Sequence, residues 1–417
     1  MEFLELSTTE IKQNLCNLGQ VVFEVTSACN LRCYYCAYGK LYEKLNGDAY
    51  SSKRMSFRKG KTLIDYLINL WQKEGILSSP KDFLISFYGG EPLLNMHFIK
   101  RIVDYINGLH LSNLKVRYSL TTNGMLLDKH AEYLRSINAT ILISLDGDQK
   151  GDSYRVDVNG NQSFNRVFKN IQYVQQTFPE YFEKFISFNS VLHDKNSFID
   201  TYKFILNNFN KETMISSLSV SNISSKEKES FMRIYKSVDS QFQDYLKLGI
   251  NYNSDVMFNF PIIFDLLVEI FNNSGNVFRN YNELLLNVDK TRRHPTGTCT
   301  PFSKKLFMSV DGGLFPCERV AQKFKLGNVD KEVSIDIDFI TKLYNTMYHK
   351  ISRQCKSCSN NTTCLECMFQ CNGTLGEALC KGYIDRRQAE NRSRMQTALL
   401  IKYPKLYKVI MTKTIFS

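Results

Sequence analysis

Val25-Thr26-Ser27-Ala28-Cys29-Asn30-Leu31-Arg32-Cys33-Tyr34-Tyr35-Cys36 is the stretch on which the reading of this chain turns. Its three cysteines are separated by three residues and then by two. A zinc site takes four N or S ligands, and no fourth Cys or His lies in the run. Cysteine thiolates also hold iron–sulfur clusters, ordinarily four to a cluster. Three local ligands leave one iron open to a substrate or cofactor, so the triplet reads as a reactive centre rather than a structural staple. It directly follows Val21–Val25, a short apolar run that reads as a buried strand.

Outward from this run, strand-like and helix-like segments alternate from residue 20 to residue 245. Phe83–Phe87, Val116–Leu120, Ile141–Leu145, Ile186–Val191 and Met214–Val220 read as further strands. Between them, Leu63, Leu67 and Leu70 mark one helix face. Ile99, Ile102, Val103 and Ile106 mark the next, with Asn95 as N-cap and Gly108 as stop. Phe164, Val167, Phe168, Ile171 and Val174 follow Ser163 in the same pattern. Ser224 and Glu227 read as a capping box ahead of a long helix with Phe231, Ile234, Val238 and Phe242. Repeated strand–helix units predict parallel strands with right-handed crossovers. About six units predict an α/β fold, a partial (β/α)6 barrel, with ligands at the C-terminal ends of the strands. The triplet stands at that end. The expected organisation is an extension over 1–19, the barrel over 20–248 and a helical insert over 249–297 carrying Ile262, Phe264, Leu267 and Ile270. A cysteine-rich domain over 298–385 and a basic C-terminal helix over 386–417 complete it.

With 417 residues, 43% of them hydrophobic, the chain is long enough for two or three domains with a substantial core. The net charge of +12 is scattered rather than run together, so it reads as a solvated basic surface and not as a nucleic-acid interface. The opening Met1-Glu2-Phe3-Leu4-Glu5 is no signal peptide. The apolar run from Pro261 to Phe271 is broken by Asp265 and Glu269 and is too short to span a bilayer. A cytoplasmic protein without a membrane segment is expected, and twelve cysteines there point to metal rather than to disulfides.

Cys29-x3-Cys33-x2-Cys36, with Tyr35 before the last cysteine, resembles the cluster motif of the radical S-adenosylmethionine enzymes. The resemblance implies that the three thiolates bind a [4Fe–4S] cluster whose open iron is chelated by S-adenosyl-L-methionine. One electron then cleaves the cofactor to a 5′-deoxyadenosyl radical that abstracts a substrate hydrogen, while the protein positions and shields. Tyr35 would lie beside the adenine. Gly89-Gly90-Glu91-Pro92 is similar to the family segment that cradles the methionyl amine, where glycines permit close backbone approach. Thr122 and Asn123, in Thr121-Thr122-Asn123-Gly124, end the third strand as the family's polar turn does. Ser144 and Asp146 resemble residues that reach the ribose or the methionyl carboxylate, and Arg155 matches an arginine that faces that carboxylate. Asn189 and Val191 lie on the strand that presents backbone to adenine. Alone, each of these is a turn or a surface ion pair. Together they fall in order at successive strand ends.

Apart from the triplet and Cys16, which reads as a buried core thiol, eight cysteines remain. Cys299, Gly312 and Cys317 are followed by Cys355-x2-Cys358-x5-Cys364-x2-Cys367-x3-Cys371 and by Cys380. This resembles the SPASM extension of the same enzymes, which carries two auxiliary [4Fe–4S] clusters. The resemblance assigns Cys355, Cys358, Cys364 and Cys380 to the outer cluster. It assigns Cys299 and Cys317 to the inner one, with Cys367, Cys371 or both. A pair of zinc ribbons is the other reading of these spacings. Glu318, after Cys317, matches the position where the related sulfatase maturases keep an aspartate as substrate base; a salt bridge to Arg319 or a nearby lysine is its other reading.

Enzymes of this layout mostly modify peptides or proteins. Phe23 to Cys29, together with Tyr38-Gly39-Lys40-Leu41-Tyr42 after the triplet, resembles the ribosomal peptide maturases more than the sulfatase maturases. Expected partners are a precursor peptide or protein, a flavodoxin- or ferredoxin-type electron donor and a separate leader-binding protein. The residues before the first strand are too few for a winged-helix leader-binding domain, so leader recognition is expected either from another surface, residues 225–297, or from that separate protein. The alternatives are a formylglycine-generating sulfatase maturase and an inactive iron–sulfur scaffold protein.

Overall fold

The structure, a computed structural model, describes residues 3–43, 52–220, 223–252, 254–273, 294–361, 364–371, 380 and 382–412. The chain divides into two compact units: residues 13–248 with 302–336, and residues 1–12 with 249–301 and 337–417.

The first unit is built on one sheet. Its parallel strands are β1 (Gln20–Thr26), β2 (Lys81–Gly89), β3 (Leu114–Thr122), β4 (Thr140–Ser144), β5 (Ile186–Leu192) and β6 (Thr213–Ser217). They pair in sequence order, with helices crossing between them, which is the α/β core the alternating pattern predicts. The sheet continues beyond β1 into β7 (Leu306–Met308), β8 (Gly313–Phe315), β9 (Gly327–Val329) and β10 (Val333–Ile335). β7 is parallel to β1, with Val21 opposite Leu306 and Phe23 opposite Met308; β7 to β10 are mutually antiparallel. Every residue of β1 from Val21 to Thr26 is buried. A strand so covered needs partners on both edges, and β7 closes the edge that β2 leaves open. Residues 302–336 therefore group with the barrel strands, whereas the cysteine spacing drew them into a single domain with residues 337–385.

Helix boundaries follow the apolar faces with instructive exceptions. Ser56 caps the helix Phe57–Lys73 by accepting from the Lys59 N–H, and the buried stripe is Leu63, Ile64, Leu67, Ile68 and Trp71, with Leu70 at its margin. Asn95 does stand at the start of Met96–Asn107, but its side chain is drawn to the β1 backbone instead: Nδ2 donates to the Val25 carbonyl at 2.7 Å. Ser163 likewise starts Phe164–Thr177 while its hydroxyl donates to the Arg155 carbonyl. The long helix expected after Ser224 is two short ones, Lys228–Ile234 and Phe242–Lys247. Tyr235 turns out in extended conformation between them, in a bridge to His193.

The second unit is helical: Pro261–Asn273, Ile337–Ser357, Arg386–Lys402 and Pro404–Thr412. Ile337–Ser357 buries Ile340, Tyr344, Tyr348, Ile351 and Cys355, one stripe at helical spacing. Asp385 and Gln388 form a capping box at the start of Arg386–Lys402, and Pro404 ends what the sequence predicts as one C-terminal helix. Ile270 and residues 413–417 of the expected helices lie outside the described side chains. Among the described residues no helix is long and apolar enough to cross a membrane.

Candidate active site

The site is assembled at the C-terminal ends of β1 to β5. At the end of β2 the chain turns back onto β1: the Gly90 N–H donates to the Thr26 carbonyl and the Glu91 N–H to the Ala28 carbonyl, both at 2.9 Å. A Cβ on Gly89, whose φ is +132°, would overlap the Thr26 carbonyl oxygen, and one on Gly90 would overlap that of Ala28. The glycines are thus needed so that the second strand's end can seat against the segment leading into Cys29. Glu91 is fully buried. Its Oε1 accepts from the Thr122 hydroxyl at 2.7 Å and the Leu93 N–H at 3.1 Å; its Oε2 accepts from the Asn123 N–H at 2.8 Å. Burial pushes this carboxyl up to about 7, against those three bonds. Asn123 also turns its side chain to the triplet loop, donating to Asn30 Oδ1 at 2.8 Å and contacting Cys29 Sγ at 3.7 Å.

The triplet loop is pinned by its backbone. Arg32 N–H donates to the Val156 carbonyl and Tyr34 N–H to that of Tyr154, at 2.7 and 3.0 Å. Burial pushes the Cys29 thiol up to about 11 and the Cys33 thiol up to about 12, with the neighbouring thiols adding to it. The three sulfurs thus lie within one another's electrostatic reach. Among the described residues, however, no three His, Cys, Asp or Glu side chains converge on the position of a single ion.

Behind Tyr35 lies a buried polar hub. Arg155 grips Asp146 with both prongs, Nε to Oδ2 at 2.9 Å and Nη2 to Oδ1 at 3.2 Å. Asp146 also accepts from the Val191 N–H at 2.8 Å and from the Tyr35 hydroxyl. Burial opposes its charge, but Arg155 and then His193 outweigh that and hold Asp146 well below the usual carboxylate range. Asp152, 3.4 Å from Arg155 Nε, is pushed the other way by burial. Ser144 and Asn189 stand opposite each other on β4 and β5, and Asn189 Oδ1 is buried with no hydrogen-bond partner among the described residues.

Sequence reasoning missed Asp152, His193 and Asn196. Asp152 lies three residues before Arg155, a spacing that offered a signal. His193 stacks on Tyr35 at 5.4 Å, its Nδ1 accepting from the Lys195 N–H, and Asn196 Nδ2 bonds the carbonyls of Asp146 and Val191. Nothing in their local sequence marks these two, because only the crossing of strand ends brings them to the hub.

Glu318 follows β8 in the same unit, and Lys305 Nζ lies 3.2 and 3.1 Å from its two oxygens. Cys317 belongs to this unit, and Cys299, Cys367 and Cys371 belong to the other. In the second unit, Cys355, Cys358, Cys364 and Cys380 line one small cavity, with Gln354 and Tyr383. Cys371 stands outside that lining, its thiol donating to the Cys367 carbonyl at 3.7 Å. Cys16 ends the helix Thr8–Cys16 half-buried rather than in the core, and none of the cysteines forms a disulfide.

Residues 23–205 match the Radical SAM superfamily. Over 87% of its length the chain is 25% identical to the radical SAM cyclopropyl synthase TigE of Paramaledivibacter caminithermalis, spanning 68% of that protein. It is 25% identical over 82% of its length to a cysteine-type anaerobic sulfatase-maturating enzyme of Clostridium novyi, spanning 85% of it. An uncharacterised Methanocaldococcus jannaschii protein, MJ0907, is 35% identical over 35% of the chain, which spans 45% of that relative. Among solved structures, anSMEcpe with bound AdoMet and the Cp18Cys peptide aligns at a TM-score of 0.58 and 19% identity, over 94% of this chain and 98% of that one. That likeness agrees with the fold. The chain therefore carries a radical SAM domain and is a radical SAM enzyme, of the family that uses a [4Fe–4S] cluster and S-adenosylmethionine.

Proposed function

We propose that this enzyme modifies a ribosomally made precursor peptide, installing a crosslink or another oxidative change. The observation that carries the reading is a second thiol site: four cysteines around one cavity in the helical unit, besides the triplet in the barrel unit. Relatives named for cyclopropyl synthesis and for sulfatase maturation support a substrate of this class.

The residues present fit the groups the family uses. Cys29, Cys33 and Cys36 would hold the radical-generating cluster. Gly89, Gly90 and Glu91 would receive the methionyl amine: Glu91 spends three acceptor positions on Leu93, Thr122 and Asn123 and keeps capacity for a cation. Asn189 Oδ1, buried and unsatisfied among the described residues, would offer an acceptor to the nucleoside. Asp146 and Arg155, bonded to each other, would hold Tyr35 and Val191 in place as much as touch the cofactor. Cys355, Cys358, Cys364 and Cys380 would hold an auxiliary cluster. When bound, the cofactor and cluster supply one-electron chemistry that removes a hydrogen atom from the substrate. The chain's own share is to exclude water, to orient the cofactor and to take a proton. Glu318 is the candidate base, and its lysine partner would have to yield for that.

The test is anaerobic incubation of the reconstituted protein with reductant, S-adenosylmethionine and a small precursor peptide encoded beside it. The expected result is a mass change in the peptide that is lost in Cys33→Ala. Cofactor cleavage without any peptide change, across all neighbouring small reading frames, would sink the proposal. Sulfatase maturation is the second reading, favoured by the clostridial relatives. Activity on a Cys-x-Pro-x-Arg peptide would select it. An electron donor of flavodoxin or ferredoxin type and a separate leader-binding protein complete the proposed set of partners.

A further inference from the structure

Glu24 is a buried carboxylate among the apolar residues Val21–Phe23 and Val25 of β1, 3% exposed and outside the machinery described so far. Burying it is costly unless both oxygens find donors. They do, and the donors come from two distant segments. Oε1 accepts from the Tyr38 hydroxyl at 3.0 Å, two residues beyond Cys36, and Oε2 accepts from the Val310 N–H at 2.9 Å. Val310 sits in the turn between β7 and β8. That turn is set by Gly312, whose φ is +96° and whose Cβ would overlap the Val329 carbonyl oxygen. It delivers β8 toward Cys317 and Glu318.

The two halves of the triplet loop are held differently. Before Cys36 it is pinned by backbone bonds from Arg32 and Tyr34. Beyond Cys36 the tie to β1 is a side chain, Tyr38, while farther on the Leu41 carbonyl accepts from the Ser224 N–H. We infer that Glu24 is a positioning residue that sets the third thiol of the triplet, through Tyr38, in fixed register with the turn leading to Cys317 and Glu318. The inference rests on the reading that the triplet holds the radical-generating cluster.

The experiment uses the full-length reconstituted protein as wild type, Glu24→Leu, Glu24→Gln, Tyr38→Phe and Cys33→Ala. The readouts are iron content, melting temperature, cofactor cleavage and the part of the reduced protein's EPR signal that shifts on adding S-adenosylmethionine. Tyr38→Phe is expected to keep wild-type iron and melting temperature, yet to alter that EPR shift and to slow cleavage about 10- to 100-fold, the scale of a small misplacement. Glu24→Gln, whose amide can accept from Val310 and donate to the Tyr38 oxygen, is expected within about threefold of wild type. Glu24→Leu should reproduce or exceed the Tyr38→Phe defect. If Glu24→Leu does not fold, Tyr38→Phe and Glu24→Gln still decide. Wild-type EPR response and rate in Tyr38→Phe would overturn the inference. A cofactor-responsive signal that survives in Cys33→Ala would remove the cluster reading and the inference with it.

Discussion

The two thiol sites of this enzyme are held by opposite means. Around Cys29, Cys33 and Cys36 the protein supplies a finished frame: β1 and β2 ends bonded to each other, a loop pinned at Arg32 and Tyr34, and Asn123 reaching across from β3. The four thiols of the second unit sit where a helix runs out. Their frame is a few bonds among short segments: Ser359 N–H to the Ile384 carbonyl, Ile384 N–H to Cys358 Sγ, and Cys380 N–H to Gln354 Oε1. The difference teaches that the barrel site can be formed before its metal arrives. At the second site the bonds to the proposed auxiliary cluster would supply part of what folds it.

Iron removal is the most direct way to break this contrast. Stripping the metal should raise hydrogen exchange at the Ser359, Cys380 and Ile384 amides by roughly 100-fold or more, while β1–β3 amides stay within a few-fold. Equal loosening of both sites, read by mass spectrometry, would refute it. Next in size is Gly90→Ala. Its methyl has no room beside the Ala28 carbonyl, so a loss of roughly 3 kcal/mol is expected in denaturant unfolding, with or without iron.

Asp152→Asn sharpens the barrel side. Burial raises the folded-state pKa of this carboxyl above its unfolded value near 3.8, so the native state holds its proton more tightly. Its contribution is therefore fully present below about pH 4 and is lost as pH rises toward 8. The asparagine should flatten that slope and stabilise the metal-free protein at pH 8 relative to pH 5 by a few kcal/mol; an unchanged pH profile would discount the hub. The smallest pair is Ser56→Ala and Asp385→Ala, each removing an N-cap at about 1 kcal/mol. The first should lower the metal-independent transition and the second the metal-dependent one.

What was legible in the sequence was whatever is local. Strand periodicity and the order of Cys29–Cys36, Gly89–Glu91, Thr122–Asn123 and Asp146 point to the parallel core and to the strand ends where these residues gather. What was not legible depends on which distant atoms compete for a polar group. Asn95 looks like an N-cap, yet the Val25 carbonyl claims its amide. Arg155 looks free to meet a ligand, yet Asp146 and Asp152 already surround it. The three-residue strands β7 and β8 are too short to show a period, and the pairing of β7 with β1 is set by the need to cover an apolar edge.

That pairing bears on how the protein is made. The strand that covers β1 is encoded nearly 60 residues after the barrel's last helix, Phe242–Lys247. At ordinary translation rates it emerges several seconds later. During that interval a largely apolar strand offers an open edge beside three thiols. Slow stretches of the message between codons 248 and 306 would lengthen that exposure and lower the soluble yield, while faster codons there should raise it.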